Sequence, residues 1–153
     1  MSTSPAIHNL LAHEKTQRDQ ALTQLHSTRE ALNQAQSRSD QLSQHRSAYE
    51  QHWRERHTQG ESSIEVMRCY NDYMNRLDMA ISQQGSLLTQ AEERMAHARR
   101  LVLEAELRVA RTQKLLDRRQ AEILQDAQRR EQKMFDEQAQ TLSWHAQRQA
   151  ANS

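Results

Sequence analysis

Along the second half of the chain, Met67, Met74, Ile81, Leu88, Met95, Val102, Val109, Leu116 and Ile123 recur at every seventh position, and all are large and apolar. Heptad spacing held over that length predicts a helix packed along a seam on another helix. Three residues on from each comes a companion row, Tyr70, Leu77, Gln84, Ala91, Ala98, Ala105 and Thr112, in which small side chains dominate. The first half carries its own pair of rows. One is Leu11, Arg18, Leu25, Leu32, Ser39, Arg46 and Trp53; the other is Glu14, Ala21, Thr28, Ala35, Leu42 and Tyr49.

Capping signals divide the pattern into two helices. Ser4 precedes Pro5, the arrangement of an N-cap residue followed by proline at the first helical position. Gly60 offers the left-handed residue that ends many helices, and Ser62-Ser63-Ile64-Glu65 follows it as a capping box. Ser62 is expected to bond forward and Glu65 to reach back. The predicted layout is a helix over about 4–59, a turn at about 60–62 and a second helix over about 62–148. The expected fold is all-α, an antiparallel coiled-coil hairpin whose second helix overhangs at its C-terminal end.

Folding about that turn sets the two pairs of rows in register. Leu25 falls opposite Ala98, Leu32 opposite Ala91, Ala21 opposite Val102 and Ala35 opposite Leu88. Nearer the turn, Leu42 faces Ile81, Tyr49 faces Met74 and Trp53 faces Tyr70. Large side chains thus meet small ones along the middle, where alanine lets helix axes approach closely. Ser39 facing Gln84 forms a polar layer, with Gly85 beside it. That layer reads either as a register mark or as a place where the seam bends. Arg18 and Arg46 are expected to lay their stems over the seam and keep their charges in water. Lys15 with Glu106, and Arg29 with Glu92, are placed to bridge the helices.

The first helix runs out before the second. From about residue 118 some thirty residues, ~45 Å at 1.5 Å per residue, are expected to continue without a partner. This overhang includes Ile123, Leu124, Ala127, Met134, Phe135, Leu142 and Trp144. Apolar groups on an isolated helix read as a frayed tail or as a docking segment, and docking is the preferred reading.

Composition narrows the class. The 153 residues are 35% hydrophobic and 27% charged, with formal net charge +1, and the mean hydropathy is −1.06. So little apolar content does not fill a globular core of this size, while balanced charge and strict periodicity argue against disorder. Two glycines and one proline leave few places to break a helix. Near-neutral charge gives no pull toward nucleic acid or an acidic membrane. The start of the chain lacks a secretion signal, and no window reaches the length and apolarity of a membrane span. Cys69, the one cysteine, allows no internal disulfide and fits a reducing cytoplasm.

From about Tyr49 onward the residues resemble the FliJ family of bacterial flagellar proteins. The resemblance is carried by Tyr70-x-x-Tyr73-x-x-x-Leu77-x-x-x-Ile81 and by Leu116-Asp117-Arg118-Arg119-x-x-Glu122. It continues in Arg129-Arg130-Glu131-Gln132-Lys133-Met134-Phe135-Asp136-Glu137-x-Ala139. Each run alone is ordinary coiled-coil text; their order and spacing give the specificity. The first forty-odd residues agree in pattern only.

The resemblance implies a soluble, non-enzymatic component of flagellar type III export, similar in shape to the central stalk of rotary ATPases. It implies partners: the hexameric export ATPase FliI, the export gate protein FlhA and export chaperones. The ATPase is expected to meet the overhang at Arg118, Arg119, Glu122, Arg129, Arg130, Met134 and Phe135. Planar arginines suit acidic loops, and Met134 with Phe135 suit an apolar anchor. The gate is expected to meet Leu42, His45, Tyr49, Tyr73, Leu77 and Ala80. Of these, His45 departs from the aromatic residue frequent in relatives. The implied location is cytoplasmic, at the periphery of the inner-membrane export apparatus, with a monomer when free. A stalk of an injectisome secretion system is the nearest alternative, and a generic coiled-coil scaffold is the alternative of a different class.

Catalytic and metal readings find no support in the spacings. His8 and His13 are five apart, as are His52 and His57, whereas a helical metal pair needs three or four. Cys69 and His57 have no third group to orient them, and no glycine-rich phosphate loop is present. No cofactor, no nucleic-acid partner and no direct membrane insertion are expected.

Overall fold

The computed structural model describes residues 4–57 and 63–153. Two helices account for them, α1 over Pro5–His57 and α2 over Ile64–Ala151. They pack against each other as an antiparallel coiled-coil hairpin, and α2 is the longer. Neither helix is interrupted: past Pro5, Gly85 is the sole glycine or proline inside either helix, and the rest is rich in strong helix formers.

Each helix start has a local cause. Pro5 begins α1, and the Ile7 N–H donates to the Ser4 carbonyl at 3.1 Å. At the start of α2 the cap is Ser63, whose hydroxyl accepts from the Val66 N–H at 3.2 Å. This corrects the expected box by one residue, since a serine caps the N–H three positions on and the first helical residue is Ile64. Ser62 and the expected stop at Gly60 lie outside the described residues. The last turn of α1 ends on Arg54, Arg56 and His57, which suit the negative end of the helix dipole.

The chain divides into two compact units. One comprises Gln17–Ala105. Within it the heptad rows face inward. Leu25, Leu32, Leu42 and Trp53 are half-buried, while Met74, Leu77, Met95, Ala98, Val102 and Ala105 are buried. Ala98 and Ala105 are only 2% exposed, so it is the small row of α2 that α1 covers most closely. Gln84 crosses the polar layer and donates through Nε2 to the Ala35 carbonyl at 3.1 Å. Gly85 beside it has open space where a Cβ would project. Met67 departs from the row: it is half-exposed, one turn from the start of α2.

Arg46 does more than cover the seam. Its Nε donates to Asp78 Oδ1 at 2.6 Å across the helices, and Nη1 reaches Glu50 Oε2 at 3.4 Å. Arg54 closes the chain of charges on Glu50 at 2.9 Å. The Asp78 hydrogen bond, opposed by desolvation and helped by the charges of Asp78 and Glu50, raises the Arg46 pKa above its already high value. Arg18 instead turns to its neighbour Asp19 at 3.2 Å. The expected bridges Lys15–Glu106 and Arg29–Glu92 are not formed. A heptad position fixes a layer, and the rotamers of long side chains decide who is reached within it.

The second unit comprises Met1–Thr16 with Glu106–Ser153. Its core is small: Ile7, Leu11 and Leu116 are buried, with Val109 packed against them. Thr112 is buried as well, and so is Glu14, whose Oε2 has no hydrogen-bond partner. Beyond Ile123, which is half-buried, every residue of α2 is exposed.

Candidate functional site

Two helices in one layer cannot enclose a pocket, so any site must be a surface. Two stretches collect the unusual side chains. The first lies where the end of α1 meets the beginning of α2, within Gln17–Ala105. Heptad spacing brings Tyr49 and Trp53 of α1 against Tyr70 and Tyr73 of α2. Trp53 stacks on Tyr70 with centroids 4.2 Å apart and planes 12° from parallel. Tyr49 lies 4.6 Å from Tyr73 and 5.9 Å from Tyr70. His57 closes one end, stacked on Trp53 at 3.5 Å while its Nδ1 lies 2.9 Å from the Trp53 carbonyl. His45 closes the other, with Nε2 at 2.7 Å from the Tyr73 hydroxyl and the rings edge to face. Offset and edge-on contacts of this kind add to the gain from burial.

The six residues expected to meet a gate protein fall partly in this cluster. His45 is exposed and Tyr49 and Tyr73 are half-buried, all three in mutual contact. Leu42 and Ala80 are half-buried seam-side neighbours. Leu77 is 7% exposed, a core residue with almost no surface for another molecule.

The second stretch is the C-terminal part of α2. Arg118, Arg119, Glu122, Arg129, Arg130, Met134 and Phe135 are all exposed there, and none of the four arginines makes an ion pair. Met134 and Phe135 expose 62% and 63% of their surface, Leu142 and Trp144 70% and 55%, which is more than a satisfied helix face leaves bare. Arg148 lies 5.0 Å over the Trp144 ring, a cation–π contact between residues four apart that the i, i+4 spacing alone could have revealed. Met134 and Leu142 flank a shallow groove with Glu137, Gln138 and Thr141.

Among the described residues no group of three His, Cys, Asp or Glu side chains is placed to hold a metal ion. No helix among them is long and apolar enough to cross a membrane. Fold and surface together define a coiled-coil hairpin whose unusual side chains are displayed along its helices.

The family described as Flagellar FliJ protein matches residues 3–148. The chain belongs to that family, whose members are non-catalytic components of flagellar export. No curated protein and no solved structure matches it.

Proposed function

We propose that this protein is the central-stalk-like partner of the hexameric export ATPase FliI, binding it through the C-terminal arm of α2 and promoting its assembly and activity. The observation that carries the reading is the run from Leu124 to Ala151, helical throughout and exposed at every position. An isolated helix with bare methionine, phenylalanine, leucine and tryptophan is marginal in water and gains stability when another surface covers those groups. A single helix about 10–12 Å across is also narrower than a helix pair, which suits a ring's centre. The unpaired Arg118, Arg119, Arg129 and Arg130 supply planar donors for carboxylates on the ring, and Met134 and Phe135 supply the apolar anchor.

A ligand favours a hexamer only through greater affinity for the assembled form than for free subunits. The arm achieves this if its arginines touch more than one subunit at once. Truncation after Gln120 then abolishes capture and stimulation of the ATPase while the remaining hairpin stays helical by circular dichroism. Full stimulation by the truncated protein would sink the proposal.

The same reading gives the His45, Tyr49 and Tyr73 surface to the export gate protein FlhA, with Leu42, Leu77 and Ala80 as its support, and adds the escort of export chaperones. The protein then works in the cytoplasm beside the inner-membrane apparatus. The flagellar family supports this use over an injectisome stalk. A scaffold that dimerises through the bare arm is the rival that the exposed apolar groups equally invite. Sedimentation at micromolar concentration decides between them: a monomer fits the stalk, a dimer lost on truncation fits the scaffold.

A further inference from the structure

Beside the aromatic stack, where the last turns of α1 meet the first turns of α2, lies an open cleft of ≈ 580 Å³. Trp53 and Tyr70 line it as a stacked pair, and Val66 lines it while 44% exposed. Ile64 and Met67, next to Val66 in the first turn of α2, are 72% and 50% exposed. Among the described residues that line it, Arg56 is the one permanently charged group, His52 and His57 stand beside it, and none is a carboxylate. Arg56 makes no ion pair with a described residue, whereas Arg54 two residues earlier is bonded to Glu50. The cleft therefore joins aromatic walls, bare aliphatic groups and an unclaimed guanidinium. Interface anchors are enriched in tryptophan, tyrosine and arginine.

We propose that this cleft is a docking site for an acidic, apolar segment of a partner protein. A carboxylate of that segment pairs with Arg56, and an apolar side chain packs against Trp53, Tyr70 and Val66. Arginine suits the first contact because its rigid fork meets both carboxylate oxygens. The site is separate from the surface assigned above to the gate, sharing Tyr49 alone with it, and separate from the arm of α2. A peptide fits better than an anionic bilayer: exposed Glu55 and Glu65 stand at the same end of the helices, and a near-neutral chain has little attraction for a charged sheet.

Cys69 lines the cleft, is exposed and is the one cysteine of the chain, so its alkylation rate reports occupancy. The test uses full-length protein and two short fluorescein-labelled peptides with identical leucine and phenylalanine positions, one spaced by glutamate and the other by lysine. The glutamate peptide is expected to raise anisotropy on binding and to slow Cys69 alkylation; the lysine peptide does neither. Arg56→Glu and Val66→Asp each weaken the glutamate peptide by at least about tenfold, through a repelled or desolvated charge. Both positions are exposed, and circular dichroism checks that the helices persist. Ala80→Gln, at the gate surface and outside the cleft lining, and truncation after Gln120 leave the peptide's affinity unchanged, which keeps this outcome independent of the stalk and gate assignments. Failure of the glutamate peptide to bind, equal binding of both peptides, indifference to Arg56→Glu, or unprotected Cys69 each overturns the proposal. So does tighter binding to phosphatidylserine vesicles than to the glutamate peptide.

Discussion

The Tyr73 hydroxyl lies 2.7 Å from His45 Nε2, and through that contact α2 is tied to α1 at a point the heptad seam does not reach. Which partner donates depends on the imidazole tautomer, but the tie holds in either. Tyr73→Phe keeps the ring against Tyr49 and removes only this bond. The expected loss is about 0.5 kcal/mol, the low end for a hydrogen bond because both groups retain contact with water. Urea denaturation measures it. If the gate reading is right, Tyr73→Ala also weakens FlhA binding, and unchanged binding removes Tyr73 from that surface.

Glu14 is buried with Oε2 unpartnered beside the Ile7, Leu11 and Leu116 core. A buried polar atom without a partner costs about 1–3 kcal/mol. Glu14→Leu should therefore stabilise the first turns of α1 by an amount in that range. Hydrogen exchange over residues 5–16 checks this. Faster exchange in the leucine variant contradicts it.

Gly85 stands in the middle of a long helix with nothing within 4 Å of where a Cβ would sit. Alanine there is expected to gain about 0.5–1 kcal/mol, the difference in helix propensity. A rise in the thermal midpoint is the readout. If the glycine instead serves a bend, the alanine variant gains stability and loses ATPase stimulation together.

The Arg46–Asp78 pair crosses the helices, yet Arg46 retains 34% and Asp78 51% of side-chain exposure. Exposed pairs contribute little and are screened. In a double-mutant cycle with Arg46→Ala and Asp78→Ala the coupling should be small at low salt and vanish near 1 M, where the screening length falls to about 3 Å. The raised Arg46 pKa keeps the guanidinium charged across any pH at which the protein folds, so its own titration adds no pH dependence to stability. Coupling that persists in high salt would mean the pair is more desolvated than its exposure implies.

Met134 and Phe135 are so exposed that replacing both with alanine should leave the unfolding midpoint nearly unchanged, as surface substitutions away from special features do. The stalk reading expects the same double variant to lose most of its ATPase stimulation. A normal level of stimulation would take these two residues out of the anchor.

The seam was legible because it depends on period alone. Leu25, Leu32, Leu42 and Trp53 on α1, and Met74 through Ile123 on α2, are all buried or half-buried as their spacing requires. The Trp53–Tyr70 stack was legible too, since it follows from the register. Ile7, one heptad before Glu14, extends the same row and was missed because a lone apolar residue near a chain start carries little periodic signal. Met67 was over-read: its phase is right, but it lies beyond the last well-packed layer. Pairings of long polar side chains were the least legible. Arg46 finds Asp78 while Lys15 and Glu106 do not meet, a difference set by rotamers and local crowding that no heptad encodes. For the proposed surfaces, sequence indicated residue types and faces. It did not reveal that His52, Arg56 and His57 converge on one cleft.

The two tryptophans live in opposite circumstances. Trp53 is stacked with the rings of both Tyr70 and His57, and Trp144 is mostly bare with Arg148 across its face. The protein thus carries two built-in optical reporters of different sensitivity. Light emitted from the first senses separation of the helices, and light from the second is expected to change if the arm is captured as proposed. Replacing either one with phenylalanine leaves a clean single-colour gauge of the other event, with no label attached.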